Sequence, residues 1–487
     1  MSIQSSYIGS IECVKRLNQL QTGHHNLEIN RSNRNHKPKR GIDVIRRNLP
    51  KLDISINDIN HLNIIHVAGT KGKGSVCAYT ESILRASGAV TGLFTSPHLT
   101  TVRDRFRISA QPLAQPLFVK YFHEVWNRLS AEPDPELGYS QFLTLLSYSI
   151  FKQQNVDTCI YETVVGGKYD STNIVSHPIA TGISILDIDH ASLLGHGPYG
   201  TIAENIAWHK AGIMKTGCPA FSVQQPQQAR GVLESRAIEL ATELKFIDLH
   251  LAALRESSLS TSAQYWNASL AINLAEAYIK KYPRKQVIEF DQAVAIGLRN
   301  CVWEGRFQKI SHDACNWYID GAHNKYSILI ASEWFASKVL ERSKVYPYVP
   351  HILIFNQQAA NRGGDALLKS IFDTCKHKGV QFDYAIFTTN EVWEDGTVID
   401  DFVNNNRAPD KCSAMQLQKC YAECWKSLAS ASTIVETAST IEGAMQSAKM
   451  ICEKAGGGDI FITGSLHLVG GVLYFLKSAS SSRVKLG

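Results

Sequence analysis

Leu62–Val76 reads LNIIHVAGTKGKGSV: an apolar, β-branched run opens directly onto a Gly-rich turn, and a helix-like segment ending near Gly88 follows. That order builds an anion cradle. Backbone N–H groups at a helix start point at phosphate, and glycines let the chain approach it closely. Lys73 would neutralise terminal phosphates, and Ser75 would offer a hydroxyl near a metal ion. The strict nucleotide-loop spacing is not met, because its first glycine position is Val67 and Gly74 separates Lys73 from Ser75. The match is to a shorter relative of that loop. A plain Gly-rich turn is the competing reading, and the strand before it and helix after it favour phosphate.

Outward from this stretch, short apolar runs alternate with helical patterns, which predicts an α/β fold with mainly parallel sheets. Strands are expected at Leu62–Val67, Val90–Thr95, Thr158–Val164 and Ile179–Leu186, with helices at Ser75–Ser87, Phe142–Gln153 and Thr201–Ile213. The pattern then restarts. Strands are expected at Asn316–Asp320, His351–Asn356, Asp383–Thr388 and Asp459–Thr463, and helices at Ser327–Val339, Asp365–Cys375 and Thr440–Lys454. The break falls near Leu298–Trp303, after a helical pattern at Glu289–Gly297, which divides the chain into domains 1–299 and 300–487. Glu394–Gln418 is polar and reads as a surface loop or insertion.

At 487 residues the chain is long for one core; 44% apolar and 19% charged residues describe an ordinary soluble globular protein. A formal charge of +6 is modest and does not argue for nucleic acid. The densest basic run, Arg31–Arg40 (RSNRNHKPKR), has no interleaved aromatics and reads as a solvated loop. Eleven cysteines are scattered, and the one close pair, Cys420 and Cys424, has no histidine at ligand spacing. Cys77 and Cys159 fall in apolar segments and are expected to pack as small buried side chains. This favours a reducing compartment over a disulfide framework. No apolar run is long enough to span a bilayer. Glu12 and Glu28 interrupt the start, and no secretory apolar block is evident; the expectation is a cytoplasmic protein, with a mitochondrial form of longer start left open.

Further chemistry-bearing residues stand at predicted strand ends. Ser96-Pro97-His98-Leu99 follows the second strand, and Arg103-Asp104-Arg105 comes next. Glu162 ends an apolar strand, an expensive place for a carboxylate unless a cation or donors meet it. A capped strand end is the bland reading; Mg²⁺ is favoured because the loop at Lys73 already predicts a metal. His190, after Asp187-Ile-Asp189, shares that rim. Lys210 sits late in a helix and by itself is most simply a cation favoured by the dipole. In the second half Trp303-Glu-Gly-Arg306-Phe-Gln308 precedes a strand leading to Asp320-Gly-Ala-His323-Asn324. Arg306 would be a natural phosphate clamp.

These segments resemble the folylpolyglutamate synthase family of the Mur-ligase superfamily. IIHVAGTKGKGSVCAYTESILR, TSPHL, VRDRFRI, ETVVGGKYDSTN, DIDHASLLG, IAWHKAGI, WEGRFQ, YIDGAHN, LIFN and ITGSLHLVGGVL carry the resemblance, in order, over most of the chain. It implies a P-loop-containing N-terminal domain with a mainly parallel sheet and a smaller, Rossmann-like α/β C-terminal domain. It also implies an ATP-dependent, ADP-forming ligase that joins glutamate to the γ-carboxylate of a reduced folate through an acyl phosphate. The implied nucleotide contacts are Gly72, Lys73, Gly74 and Ser75 with Arg306 and Asp320. Ser96, Glu162 and His190 are implied to hold Mg²⁺. Lys73, Lys210 and His323 are the implied catalytic residues; Lys210 matches a lysine that becomes carbamylated in related ligases. ATP and Mg²⁺ are the implied cofactors, with K⁺ as a candidate monovalent cation. The partners are the small substrates alone, with no nucleic acid or membrane span, and the chain is expected to act as a monomer.

Some positions depart from the family pattern. Val164 stands where the first glycine of Glu-x-Gly-x-Gly-Gly is usual, and a β-branched residue there would be strained if the backbone needs positive φ. Asp104 replaces a usual glutamate, Ser109-Ala110 replaces Asn-Gly, extra residues lie in His196–Gly200, and Gln357–Gly364 differs although Arg362 is kept. Two alternatives stand beside the main reading: dihydrofolate synthase, with dihydropteroate as acceptor, and a non-catalytic nucleotide-binding module.

Overall fold

The computed structural model describes residues 3–21, 41–255, 257–283, 287–358, 363–403 and 415–484. The basic run Arg31–Arg40 and Arg362 lie outside the described residues. The chain divides into two compact units. The first holds residues up to His98 and Val102–Val302; the second holds Leu99–Thr101 and most of the chain from Trp303 onward.

The first unit is built on eight strands: β1 Ile64–Ala68, β2 Thr91–Phe94, β3 Phe106–Ile108, β4 Gln111–Pro112, β5 Thr158–Glu162, β6 Ala180–Ile183, β7 Ala220–Ser222 and β8 Leu244–Phe246. They lie in the order β4-β3-β2-β5-β1-β6-β7-β8. β1 is central and parallel to both neighbours, with Ile65 opposite Ile160 on one side and Ala180 on the other. All five β1 residues are buried, as a strand covered on both faces must be. The helix Lys73–Ala86 packs on helices Ser262–Lys281 and Phe290–Asn300, and the Ser82 hydroxyl donates to Gly297 O at 2.8 Å. Beside the sheet, Phe94, Tyr148, Phe151 and Tyr161 join one aromatic-rich core, with Phe94 and Tyr161 centroids 5.4 Å apart.

The second unit carries six strands: β9 Gln308–His312, β10 Cys315–Ile319, β11 His351–Phe355, β12 Tyr384–Thr388, β13 Ile434–Ala438 and β14 Gly458–Thr463. Their order is β13-β12-β11-β14-β10-β9, parallel except for the edge strand β9. One apolar cluster gathers around Phe335, Phe355, Phe461 and Trp425, and another around Ile352, Ile460, Ile441 and Val472. Helices therefore cover both faces of this sheet.

The expected strands all form, with ends that differ. The expected Ile179–Leu186 strand stops at Ile183, because the next residues turn to bind the loop after β1. The helices Gln115–Ala131 and Ser262–Lys281, and the strands β3, β7, β9 and β13, were not anticipated. The last four are short or half-exposed and lack a continuous apolar run. The reading of Glu394–Gln418 as one surface loop needs correction at its end. The helix Gln416–Leu428 starts there, and Gln418 is buried, donating to Thr388 O at 3.1 Å. Cys77 and Cys159 are fully buried, as expected of small apolar side chains. The ten described cysteines are free thiols, and no described helix is long and apolar enough to cross a membrane.

Candidate active site

Parallel strands bring their carboxyl ends to one edge, and β1, β2, β5 and β6 place there the loops that carry the charged residues. After β1 the chain turns through Gly69–Gly72 into the helix that begins at Lys73. Thr70 N and Lys71 N both donate to Ile185 O, at 3.0 and 3.3 Å, and Thr70 Oγ1 donates to Asp187 O at 3.0 Å. The loop is thus stitched to the β6 exit. Gly72 caps the helix with φ 85°, and a Cβ there would meet the Asn267 side chain. No side chain caps this helix start, so its first-turn N–H groups, from Lys73 to Ser75, face outward as donors for an anion.

The Lys73 ammonium stands 3.7 Å from Glu162 Oε1. Glu162, 5% exposed, also accepts from Ser96 N at 3.0 Å through Oε2. The structure therefore brings together the end of β5, the end of β2 and the glycine loop. His190 lies on the neighbouring rim, exposed, with left-handed φ 52° at the start of the short helix Ala191–Leu194. Among the described residues no three His, Cys, Asp or Glu side chains group as a ligand set. The donors that are present suit Mg²⁺ nonetheless, since it takes few carboxylates and completes its shell with hydroxyl, water and phosphate oxygens.

Lys210 departs from the simple expectation of a dipole-favoured surface cation. It is 4% exposed, and its Nζ donates to Gly69 O at 2.6 Å. Burial, reinforced by the nearby Lys73 charge, holds its amine well below the ordinary lysine range. The loop after Glu162 lies against the same helix end. Lys168 N donates to His209 O at 2.7 Å, and Gly167 is required because a Cβ would sit 2.6 Å from that carbonyl. Val164 is free of the strain considered for it: the left-handed residue in this loop is Gly166, with φ 76°, and Val164 is not among the positive-φ residues. A buried chain holds the loop. Thr172 donates to Asp170 Oδ1 at 2.6 Å and lies 2.8 Å from His66 Nε2, and Asp170 Oδ2 accepts from Val165 N at 2.8 Å. The extra residues at His196–Gly200 are tied down by Asn205, whose amide donates to Gly195 O and Tyr199 O at 3.1 and 3.0 Å.

In the second unit Asp320 follows β10 and is buried. Its oxygens accept from Phe307 N and Ala322 N, each at 2.9 Å. Burial pushes its carboxyl up to about 6, and the Arg306 charge pulls the other way. Arg306 Nη1 donates to Gly305 O at 2.9 Å. His323 Nδ1 lies 2.8 Å from Gly321 O and donates its proton to that carbonyl. Gln357 donates to Gly464 O at 2.8 Å, joining the β11 and β14 exits. Sequence reasoning missed Asn267. An asparagine inside an apolar helix gave no signal until that helix was seen to place its amide against Gly72, where no hydrogen bond engages it among the described residues.

No family model matches the chain. A folylpolyglutamate synthase of Neurospora crassa is 38% identical over 497 residues, which covers 96% of this chain and 92% of that protein. One from Saccharomyces cerevisiae is 37% identical over 487 residues, covering 95% and 86%. Among solved structures, Mycobacterium tuberculosis folylpolyglutamate synthase complexed with ADP superposes with a TM-score of 0.71 at 19% identity, covering 96% of this chain and 98% of that one. A folylpolyglutamate synthase complex with AMPPCP gives 0.67 at 22% identity, covering 96% and 99%. These two structures share the fold.

Proposed function

Because the chain belongs to the folylpolyglutamate synthase family, we propose that it is the ATP-dependent ligase that adds L-glutamate to the γ-carboxylate of reduced folates, forming ADP. The single observation that carries the reading is the cluster of Lys73, Glu162, the Ser96 N–H and Lys210 around an uncapped helix start. Two anions, a carboxylate and a terminal phosphate, must meet for the reaction. Lys73 and the first-turn N–H groups supply fixed positive charge where that repulsion is worst. The carboxylate oxygen attacks the γ-phosphate, ADP leaves, and the acyl phosphate is opened by the amine of glutamate with loss of phosphate. No enzyme nucleophile is needed, and none of the cysteines is assigned a role.

Gly72, Lys73, Gly74 and Ser75 are assigned to the triphosphate. Arg306 and Asp320 are assigned to the nucleotide, and Asn267 joins them as an amide beside Gly72. Ser96, Glu162 and His190 would hold Mg²⁺, which when bound offsets phosphate charge and polarises the transferring group. Lys210 is assigned as a carbamylation site: an amine kept neutral by burial is the form that adds CO₂, forming an N–C bond and releasing a proton. His323, oriented by its Nδ1 contact to Gly321 O, is assigned to catalysis. Free thiols support a reducing compartment, the cytoplasm, with a mitochondrial form as a second location. The enzyme is proposed to act as a monomer, without nucleic-acid partners and with K⁺ as an accessory cation.

One assay tests the reading. Purified protein with Mg-ATP and glutamate is offered tetrahydrofolate or dihydropteroate, and glutamylated product and ADP are measured. Product from tetrahydrofolate is expected. Product from dihydropteroate alone would reassign the acceptor, and nucleotide binding without either product would leave a binding module.

A further inference from the structure

Arg105 is a buried cation whose charged fork the fold does not use. It ends the 3₁₀ turn Val102–Arg105 and is 9% exposed. Its carbonyl accepts from Thr95 N at 3.2 Å, next to Ser96, whose own N–H is held by Glu162. Arg105 Nε donates to His98 Nδ1 at 2.9 Å, and the guanidinium lies 5.7 Å from the centre of the Tyr139 ring. These contacts orient the plane but engage only one of its five N–H donors. Nη1 and Nη2 meet no acceptor among the described residues, and neither is sealed from solvent.

The neighbouring arginines behave differently. Arg103 donates to Leu113 O at 2.9 Å, and Arg107 donates to Asp104 O and Ala110 O, each at 3.3 Å, so both tie down their own hairpin. A structural arginine would do the same, or would meet an acid. Holding a guanidinium in a buried place without an anion costs free energy that a ligand anion would offset. A planar fork with two adjacent donors matches a carboxylate. His98 accepts from the Arg105 Nε–H at Nδ1, and Tyr139 supplies an aromatic wall beside the guanidinium.

Resting on the folate–glutamate ligase reading above, we infer that Arg105, oriented by His98 and Tyr139, is the subsite that grips a glutamyl carboxylate of an organic substrate. That carboxylate belongs either to the folate tail or to the incoming L-glutamate, and kinetics separates the two sources. The full-length protein, Arg105→Gln and Arg105→Lys are assayed with Mg-ATP while each organic substrate is varied in turn. The KM for one of them is expected to rise ~10–100-fold in Arg105→Gln, with the KM for ATP unchanged. Arg105→Lys should recover only part of the loss, because a point charge lacks the fork. An analogue with a carboxamide for the gripped carboxylate should bind wild type poorly and Arg105→Gln no worse than the parent substrate does. Equilibrium dialysis of each carboxylate without ATP reads binding directly. Equal binding by wild type and a folded Arg105→Gln or Arg105→Lys would overturn the subsite whatever the turnover. Binding through Arg105 without product from wild type would overturn the ligase reading and leave the subsite standing.

Discussion

Lys210→Met removes a buried amine while keeping most of its stem, and its effect on stability should change with pH. The unfolded lysine titrates near 10.5, and the folded amine well below that. Below the folded value both states hold the proton, and the full cost of burying an ammonium is present. Between the two values only the unfolded state holds it, so stability climbs with pH, at up to ~1.4 kcal/mol per unit for one proton. Above the unfolded value the cost is gone. The variant escapes that cost at every pH but orphans the Gly69 carbonyl, which Nζ meets at 2.6 Å; a buried unpaired acceptor costs about 1–3 kcal/mol. Near neutral pH the two terms oppose, and the variant should match or exceed wild-type stability. Above the unfolded value, at about pH 11, it should be about 1–3 kcal/mol less stable. Urea unfolding followed by circular dichroism in CO₂-free buffer measures the difference. Parallel wild-type and variant curves across the whole range would refute the buried neutral amine. In turnover the variant should lose far more than stability, and bicarbonate should raise the activity of CO₂-depleted wild type only.

Glu162→Gln removes the charge that faces Lys73 at 3.7 Å while keeping one acceptor for Ser96 N; kcat should fall ~100-fold or more with the melting curve little changed, and stopped-time ADP release measures it. Gly72→Ala forces a Cβ into the Asn267 side chain at φ 85°; a loss of about 1–3 kcal/mol by denaturant titration is expected, with weaker nucleotide binding by calorimetry. For Asp320 the sign runs the other way from Lys210. Its folded carboxyl is raised to about 6 from 3.8, so the folded state binds more protons between those values and stability falls as pH rises through that window, by up to ~3 kcal/mol. Asp320→Asn should flatten that fall, and an unchanged pH profile would count against the buried acid.

Most residues of the proposed site were candidates from the sequence because they sit where secondary structure changes. Lys73, Ser96, Glu162 and His190 follow apolar runs, and the parallel sheet of the first unit carries such positions to one edge; Asp320 follows an apolar strand of the second unit's sheet. The reading was weaker where a residue's meaning depends on another segment. Lys210 looked like a helix-end cation because its partner, Gly69 O, is far away in the chain. Asn267 was silent for the same reason, and Arg105 was noted only within Arg103-Asp104-Arg105, with no role attached to it. Short or exposed strands such as β7 and β13 carry too few apolar residues to announce themselves, and the helix from Gln416 was hidden behind a polar approach.

Local order along the chain determined the α/β class and the glycine-rich turn between β1 and its helix, since periodicity, backbone freedom at glycine and strand-to-helix succession are short-range properties. Burial decided the rest. Whether a lysine is charged, whether an arginine is satisfied, and which carboxylate faces which ammonium depend on desolvation and on groups brought close only by packing, and those appear in three dimensions alone.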